Sequence, residues 1–349
     1  MLTTTLESLT IGGLRGARRR PVVMSAGGLV TTGCLKTDNL LPLVVQPSVP
    51  GLHLVPWAQS NKGFIEERLL RHGGLLFRKF EVGGVADFEK FIRAISGEPL
   101  EYKERSSPRH QVSGNIYTST DYPPDQKIFV HNENSYQKVW PRKIFFYCDT
   151  PSQAGGETPI VSCRNVTRRI PVAVRERFAE KNWMYVRNFG DGFGLPWQTV
   201  FQSTDRETVQ AHCQRNGIDA HWKPGDRLRT SAVRPATANH HHTGEPLWFN
   251  HATFFHVTTL EPTIRQLLLS EFDEEDLPIN SYYGDGSRIE DSVMDELRGI
   301  YLEEEVKFPW QKGDVLILDN MLAAHGRESF AGQRKILVGM SEPYTREQE

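Results

Sequence analysis

The sequence predicts a mixed α/β fold, and three observations support this. Short apolar runs of strand length occur in both halves of the chain, at residues 127–130, 144–148 and 315–318. Amphipathic segments of helical length lie between the second and third runs. Hydrophobic residues make up 38% and charged residues 24% of the chain, which is typical of a globular protein. Periodicity therefore indicates strands with helices between them.

The first third of the chain predicts alternating strands and helices after a flexible tail. Residues 1–20 are expected to be this tail, and residues 21–349 a single domain. A helix is predicted over residues 61–72, because Asn61 can cap its start and two glycines follow its end. The other elements expected here are strands at 41–45, 52–55 and 75–80 and a helix at 87–95.

The middle of the chain predicts a helical insertion at roughly residues 167–305. A polar, turn-rich segment at 103–127 comes before it and is expected to line a pocket. Residues 222–238 show neither helical nor strand periodicity. The insertion's expected elements are helices at 171–181, 205–217, 261–272 and 289–302 and a strand at 246–250.

Composition excludes several classes of protein. A net charge of −2 argues against a nucleic-acid partner, and no apolar run is long enough to span a membrane. The four cysteines show no CxxC spacing, so we expect reduced thiols and a cytoplasmic location. Oligomeric state cannot be read from these features.

Three side chains form the candidate metal site. His131-Asn132-Glu133 follows the apolar run at 127–130, and His325 follows the run at 315–318. Alternation along a strand would place His131 and Glu133 on the same face. Two imidazoles and one carboxylate bind non-haem Fe(II) on one face and leave its other positions open. A single His-x-Glu pair is a weak signal, and its position between two strand-like runs strengthens it.

Arg334 precedes a third apolar run and requires an anionic partner if it is buried. That partner is either a protein carboxylate or the carboxylate of a ligand. The adjacent Lys335 is an alternative, although the planar guanidinium fits a carboxylate better.

Other histidines predict no second metal site. The run His240-His241-His242 lies in turn-forming sequence, and adjacent side chains cannot all face one ion, so we expect an exposed loop. His251 and His256 flank an apolar pair and are expected to be packed in the core.

Several of these motifs together resemble the TauD/TfdA family of Fe(II)/2-oxoglutarate-dependent dioxygenases, nearest to its SyrP-like and clavaminate-synthase-like branch. The similarity spans roughly residues 20–345. The segments that carry it are Ser106-Ser107-Pro108-Arg109, Tyr117-Thr118-Ser119-Thr120, residues 131–136, Gly155-Gly156-Glu157-Thr158 and His325-Gly326-Arg327 with Gly332-Gln333-Arg334.

The resemblance implies an all-β core, formed by a double-stranded β-helix, or jelly-roll, with helical insertions, and an oxygenase activity. It implies that His131, Glu133 and His325 bind Fe(II), and that Thr158 and Arg334 hold the cosubstrate 2-oxoglutarate, with O2 as the oxidant. Related halogenases carry a small residue in place of the carboxylate ligand. Glu133 therefore favours hydroxylation, desaturation or cyclisation over halogenation.

The resemblance also implies an amino-acid-like small-molecule substrate in natural-product biosynthesis, either free or attached to a carrier protein. Candidate substrate contacts are Arg109, Asn132, Asn134 and Ser135. Two alternatives remain: a metal-dependent isomerase or hydrolase of the same fold that uses no 2-oxoglutarate, and a non-catalytic binding module.

Overall fold

The computed structural model describes residues 26–36, 39–101, 110–119, 122–190 and 192–345. The strands are β1 (Val30–Lys36), β2 (Asn39–Pro47), β3 (Gly74–Phe77), β4 (Gln111–Ser113), β5 (Ile116–Thr118), β6 (Ile128–His131), β7 (Val139–Thr150), β8 (Ala154–Gly155), β9 (Ile160–Ser162), β10 (Trp183–Phe189), β11 (Asp219–Lys223), β12 (Arg227–Arg234), β13 (Thr237–Asn239), β14 (Pro246–Trp248), β15 (Ile279–Tyr283), β16 (Val315–Asp319), β17 (Ala323–Arg327), β18 (Phe330–Ala331) and β19 (Lys335–Thr345). The helices are α1 (Ala26–Leu29), α2 (Leu54–Ser60), α3 (Lys62–His72), α4 (Val85–Ser96), α5 (Cys163–Arg169), α6 (Val172–Lys181), α7 (Trp197–Phe201), α8 (Arg206–Arg215), α9 (Ala252–Phe255), α10 (Pro262–Glu271) and α11 (Asp291–Glu304).

Two sheets form the core. The larger has the strand order β1-β2-β3-β16-β7-β19-β5-β4, and the smaller has the order β6-β17-β9. Buried apolar side chains from both sheets share one cluster, including Phe146 and Leu316 from the larger sheet and Ile160 and Ala323 from the smaller. This two-sheet arrangement is the jelly-roll that the resemblance implies.

The opposite face of the larger sheet is covered by α2, α3 and α4. Phe145 belongs to the cluster beneath these helices, whereas its neighbour Phe146 lies between the two sheets. Such alternation is expected of a strand that is buried on both faces. Helix α3 ends at Gly73, whose φ of 75° is readily adopted by glycine.

The segment between β9 and β16 contains more than the predicted helices. It also forms a four-stranded sheet, here called the insertion sheet, with the order β11-β12-β10-β15. Most of residues 222–238, which show no periodicity in the sequence, belong to β11, β12 and β13. The alternation in β12 is hidden because Thr230 and Arg234 occupy buried positions where apolar residues are usual.

Most predicted elements are confirmed, and one is wrong. The six predicted helices correspond to α3, α4, α6, α8, α10 and α11. The strand expected at 52–55 is instead the start of α2, and only His53 makes an isolated bridge, to Glu81. Leu54, Trp57 and Ala58 are buried at helical spacing. The predicted strand covered only residues 52–55, too short a segment to show this spacing. The predicted tail at residues 1–20 lies outside the described residues.

Among the described helices, none has the length and apolar character needed to cross a membrane.

Candidate metal centre

The smaller sheet brings the two candidate histidines together. His325 on β17 lies opposite His131 on β6 in the antiparallel register, and their ring centroids are 4.7 Å apart. Glu133 completes the group, with its Oε2 atom 3.7 Å from Nε2 of His325. One ligand atom from each of the three residues lies within 4.8 Å of the others. The arrangement fits a divalent cation bound on one face.

A backbone contact fixes the orientation of the first histidine. Nδ1 of His131 lies 2.9 Å from the carbonyl oxygen of Phe129. A donor at Nδ1 satisfies that carbonyl and would leave the lone pair of Nε2 for a metal ion. The ring of Phe254 on α9 packs against the imidazole at 4.6 Å.

Glu133 does not lie on the strand, so strand alternation does not place its side chain. Strand β6 ends at His131, and Glu133 lies in the following turn. The buried amide of Asn320 holds this turn: its Oδ1 accepts from Glu133 N at 2.8 Å, and its Nδ2 donates to the carbonyls of Glu133 at 2.9 Å and Pro141 at 2.8 Å. The sequence-based reason for the pairing of His131 and Glu133 is therefore wrong, although the two side chains do meet.

A cavity extends from the histidines to Arg334. Its polar lining residues are His131, His325, Ser119, Thr158, Arg327 and Arg334. Its apolar lining residues are Ile128, Phe146, Ile336 and Val338. The lining thus combines candidate metal ligands with a cation, the two kinds of group that can bind the two ends of a small diacid.

Arg334 is not paired with a carboxylate anywhere in the described part of the chain. Its Nε donates to the carbonyl of Gly156 at 2.9 Å and its Nη1 to Ser119 Oγ at 3.0 Å. No protein hydrogen bond is recorded for Nη2 among the described residues, which leaves this donor for a ligand. Burial lowers the pKa of Arg334 to about 10, so the side chain stays charged at neutral pH. Lys335, the alternative, is exposed and contacts Asp149 at 3.3 Å.

Thr158 is buried with its hydroxyl oriented by an indole. Trp310 Nε1 donates to Thr158 Oγ1 at 3.1 Å. Because that oxygen accepts one hydrogen bond, its own hydrogen remains free to be donated to a carboxylate. No sequence pattern pointed to Trp310, and Ser119 was named only within the longer segment Tyr117-Thr118-Ser119-Thr120.

The four candidate substrate contacts are placed very differently. Asn132 is fully buried, and its amide donates to Asn320 O at 2.6 Å and Cys163 Sγ at 3.2 Å. Ser135 is also fully buried, with its hydroxyl 2.6 Å from Nδ1 of His251. Asn134 has a φ of 57°, and its Oδ1 has no hydrogen-bond partner among the described residues. Arg109 lies outside the described residues.

Three further histidines, His240, His251 and His256, lie in the core. His251 and His256 are buried as predicted, and burial lowers the pKa of both. His240 is 1% exposed, with its Nε2 atom 3.1 Å from Asp319 Oδ2, so the prediction of an exposed loop is wrong for this residue. Within the described residues, the group of potential ligands close enough to bind a metal is that of His131, Glu133 and His325.

Comparisons with known proteins agree with this geometry. The family described as "Taurine catabolism dioxygenase TauD, TfdA family" matches residues 37–341. The dapdiamide synthesis protein DdaC of Enterobacter agglomerans is 40% identical over 87% of this chain and 94% of its own length. The clavaminate synthase-like protein At3g21360 of Arabidopsis thaliana is 29% identical over 86% of this chain and 93% of its own length.

Solved structures share the fold at low sequence identity. PvcB from Pseudomonas aeruginosa superimposes with a TM-score of 0.55 at 15% identity, covering 91% of this chain and 93% of that one. A taurine dioxygenase from Burkholderia xenovorans gives a TM-score of 0.52 at 14% identity, covering 92% and 93%. The predicted jelly-roll with insertions is thus confirmed.

Proposed function

The chain belongs to the TauD/TfdA family of dioxygenases, and from this premise we propose that it oxidises a C–H bond of an amino-acid-derived small molecule in a biosynthetic pathway. It is an Fe(II)/2-oxoglutarate-dependent oxygenase. The similarity to a protein of dapdiamide synthesis supports the biosynthetic role. The observation that carries the proposal is a cavity lined by two candidate metal ligands and by Arg334, which has no carboxylate partner among the described residues.

We assign Fe(II) to His131, Glu133 and His325, and the distal carboxylate of 2-oxoglutarate to Arg334 and Thr158. Bound iron and 2-oxoglutarate together supply the oxidising power, as O2 converts the cosubstrate to succinate and CO2. Arg334 provides charge and a directed N–H donor, and the Thr158 hydroxyl provides a second donor. The apolar walls exclude water between these groups and the metal ligands.

Glu133 sets the class of reaction that we propose. A carboxylate at this position gives the metal three protein ligands, so it leaves no place for a halide where the side chain binds. Hydroxylation, desaturation and cyclisation all begin with removal of a hydrogen atom from carbon, and each is compatible with this ligand set. The substrate is either free or attached to a carrier protein.

The first test is an anaerobic titration with Fe(II) and 2-oxoglutarate, followed by visible absorbance. A weak metal-to-ligand charge-transfer band is expected, and His131→Ala should abolish it. His221→Gln, at an exposed position on β11, is the matched control and should retain the band. Absence of the band in the metal-loaded wild-type protein would refute the assignment of the cosubstrate and favour an isomerase or hydrolase.

The second test identifies the substrate. O2-dependent release of succinate is measured with free amino acids and with the same amino acids attached as thioesters to carrier proteins. A compound that raises succinate release and gains or loses oxygen or hydrogen by mass spectrometry supports the proposal. The substrate class would be refuted if no free or carrier-attached amino acid raised succinate release and compounds unrelated to amino acids did.

A further inference from the structure

The insertion sheet contains a cation for which the described residues provide no anion. Arg187 lies on β10 and is half-buried. Its guanidinium makes no hydrogen bond or ion pair with another described residue, and the ring of Phe189 lies 4.9 Å from its central carbon. An aromatic face stabilises the cation but leaves the in-plane N–H groups without acceptors. The N–H groups of this partly buried cation are therefore available to an anionic ligand.

A hydroxyl without a partner lies beside it. Thr230 on β12 is opposite Arg187 in the antiparallel register, so the two side chains share a face of the sheet. Thr230 is 2% exposed, and no hydrogen bond of its hydroxyl to another described residue is recorded. A guanidinium and a hydroxyl are thus adjacent, and both can donate hydrogen bonds.

The same face of the sheet packs towards the metal centre. Tyr185 precedes Arg187 by two residues, which places both side chains on this face about 7 Å apart along the strand. The ring of Tyr185 lies 5.7 Å from that of Tyr136, and Tyr136 lies 4.9 Å from the ring of His251. The ring of His251 is in turn 5.5 Å from that of His131. A continuous wall of rings therefore connects the metal ligand to the position next to Arg187.

We propose that Arg187 and Thr230 form an anion-binding subsite that positions the substrate of this enzyme. The proposal rests on the proposed function, because it concerns the substrate of the same metal centre. The ligand chemistry is a group of anionic oxygens within reach of a guanidinium and a hydroxyl. Two sources carry such a group: the α-carboxylate of a free amino acid and the phosphate of the pantetheine arm of a carrier protein.

Nuclear magnetic resonance of arginine Nε–H groups tests the subsite before the substrate is known. The protein is labelled with 15N-arginine and loaded with Zn(II) and 2-oxoglutarate, because Zn(II) is diamagnetic. The signal of Arg187 is identified as the one that disappears in Arg187→Lys. The probes are single L-amino acids, their carboxamides and 4′-phosphopantetheine.

We expect at least one anionic probe to shift the Arg187 signal. A shift with an amino acid but not with its carboxamide supports the subsite and identifies the carboxylate as the source. A shift with 4′-phosphopantetheine alone supports it and identifies the carrier arm. If no probe moves the Arg187 signal, the proposal is overturned.

Kinetics then separate the subsite from the proposed function. Arg187→Gln should raise KM for the stimulating substrate about 10- to 100-fold, with a smaller change in kcat. The charge-transfer band with Fe(II) and 2-oxoglutarate should remain. Arg206→Gln removes the same charge from an exposed position on α8 and should leave KM unchanged. An unchanged KM in Arg187→Gln, with the band intact, would refute the subsite alone, whereas a missing band in the wild-type protein would refute the proposed function.

Discussion

Replacing Asn320 with alanine should weaken iron binding without touching a metal ligand. The side chain makes three backbone hydrogen bonds, two with Glu133 in the turn and one with Pro141 after it, and it is fully buried. At about 1 kcal/mol for each net hydrogen bond, the loss is about 3 kcal/mol of unfolding free energy, and the unsatisfied N–H and carbonyl groups add to it. Loss of a residue that orients a ligand typically lowers metal affinity about 10- to 100-fold.

Two measurements on the same protein test this reasoning. Urea denaturation of the metal-free protein gives the change in unfolding free energy. Competition with a chromophoric chelator gives the Fe(II) affinity of the folded fraction under anaerobic conditions. We expect both quantities to fall in Asn320→Ala.

Asn280→Ala is the matched control. Asn280 is a buried asparagine in the insertion, and its Oδ1 accepts from Val257 N at 3.0 Å. Its replacement should destabilise the fold while leaving Fe(II) affinity unchanged. If Asn320→Ala lowered stability but bound Fe(II) as tightly as the wild-type protein, the role of Asn320 in positioning Glu133 would be refuted.

Three further predictions concern the cosubstrate cavity and the insertion. Arg334→Gln should weaken 2-oxoglutarate binding about 10- to 100-fold in the charge-transfer titration, because a buried charge-assisted contact is lost. Lys335→Gln is the control and should leave this affinity unchanged. Equal affinities for the two variants would contradict the assignment. Trp310→Phe keeps an aromatic ring but loses the N–H donor to Thr158. The same titration should show 2-oxoglutarate affinity about 2- to 10-fold weaker, with Fe(II) affinity unchanged. Unchanged 2-oxoglutarate affinity would show that the indole does not orient the hydroxyl. Burial lowers the pKa of His256 to about 4 from 6.5, so the unfolded chain binds more protons between these values and stability falls as pH drops through this window. Urea denaturation at pH 7 and at pH 4.5 gives the loss of unfolding free energy between the two values. This loss should be about 2 to 3 kcal/mol larger in the wild-type protein than in His256→Asn, and an equal loss in both proteins would refute the prediction.

The three residues of the candidate metal centre could be found in the sequence because they are adjacent to strongly apolar strands. The runs before His131 and His325 are short, apolar and closed by polar turns, and both form strands of the core. Arg334 was recognisable for the same reason, since a charge next to a buried strand needs a partner. The helices of the insertion were visible through their periodicity and the residues that end them.

Other parts of the site depend on contacts between distant segments, which leave no local pattern. Asn320 reaches the Glu133 turn across 187 residues, and Trp310 reaches Thr158 across 152. His240 lies in turn-forming sequence, yet it is buried in the core, where it contacts Asp319. The insertion sheet was missed because buried Thr230 and Arg234 interrupt the apolar alternation of β12. Tertiary partners decide each of these cases.

The pairing of His131 with His325 also determines when the enzyme can acquire its metal. The two residues are 194 positions apart (325 − 131 = 194), yet they face each other across one rung of an antiparallel ladder. The chain between them includes the whole insertion sheet, so this rung joins segments with a very large sequence separation. Contacts of this kind are expected to form late in folding, because the entropy of a long loop is lost before the contact contributes any stabilisation. We therefore expect iron to bind a chain that has already assembled and to add its binding free energy to the native state alone.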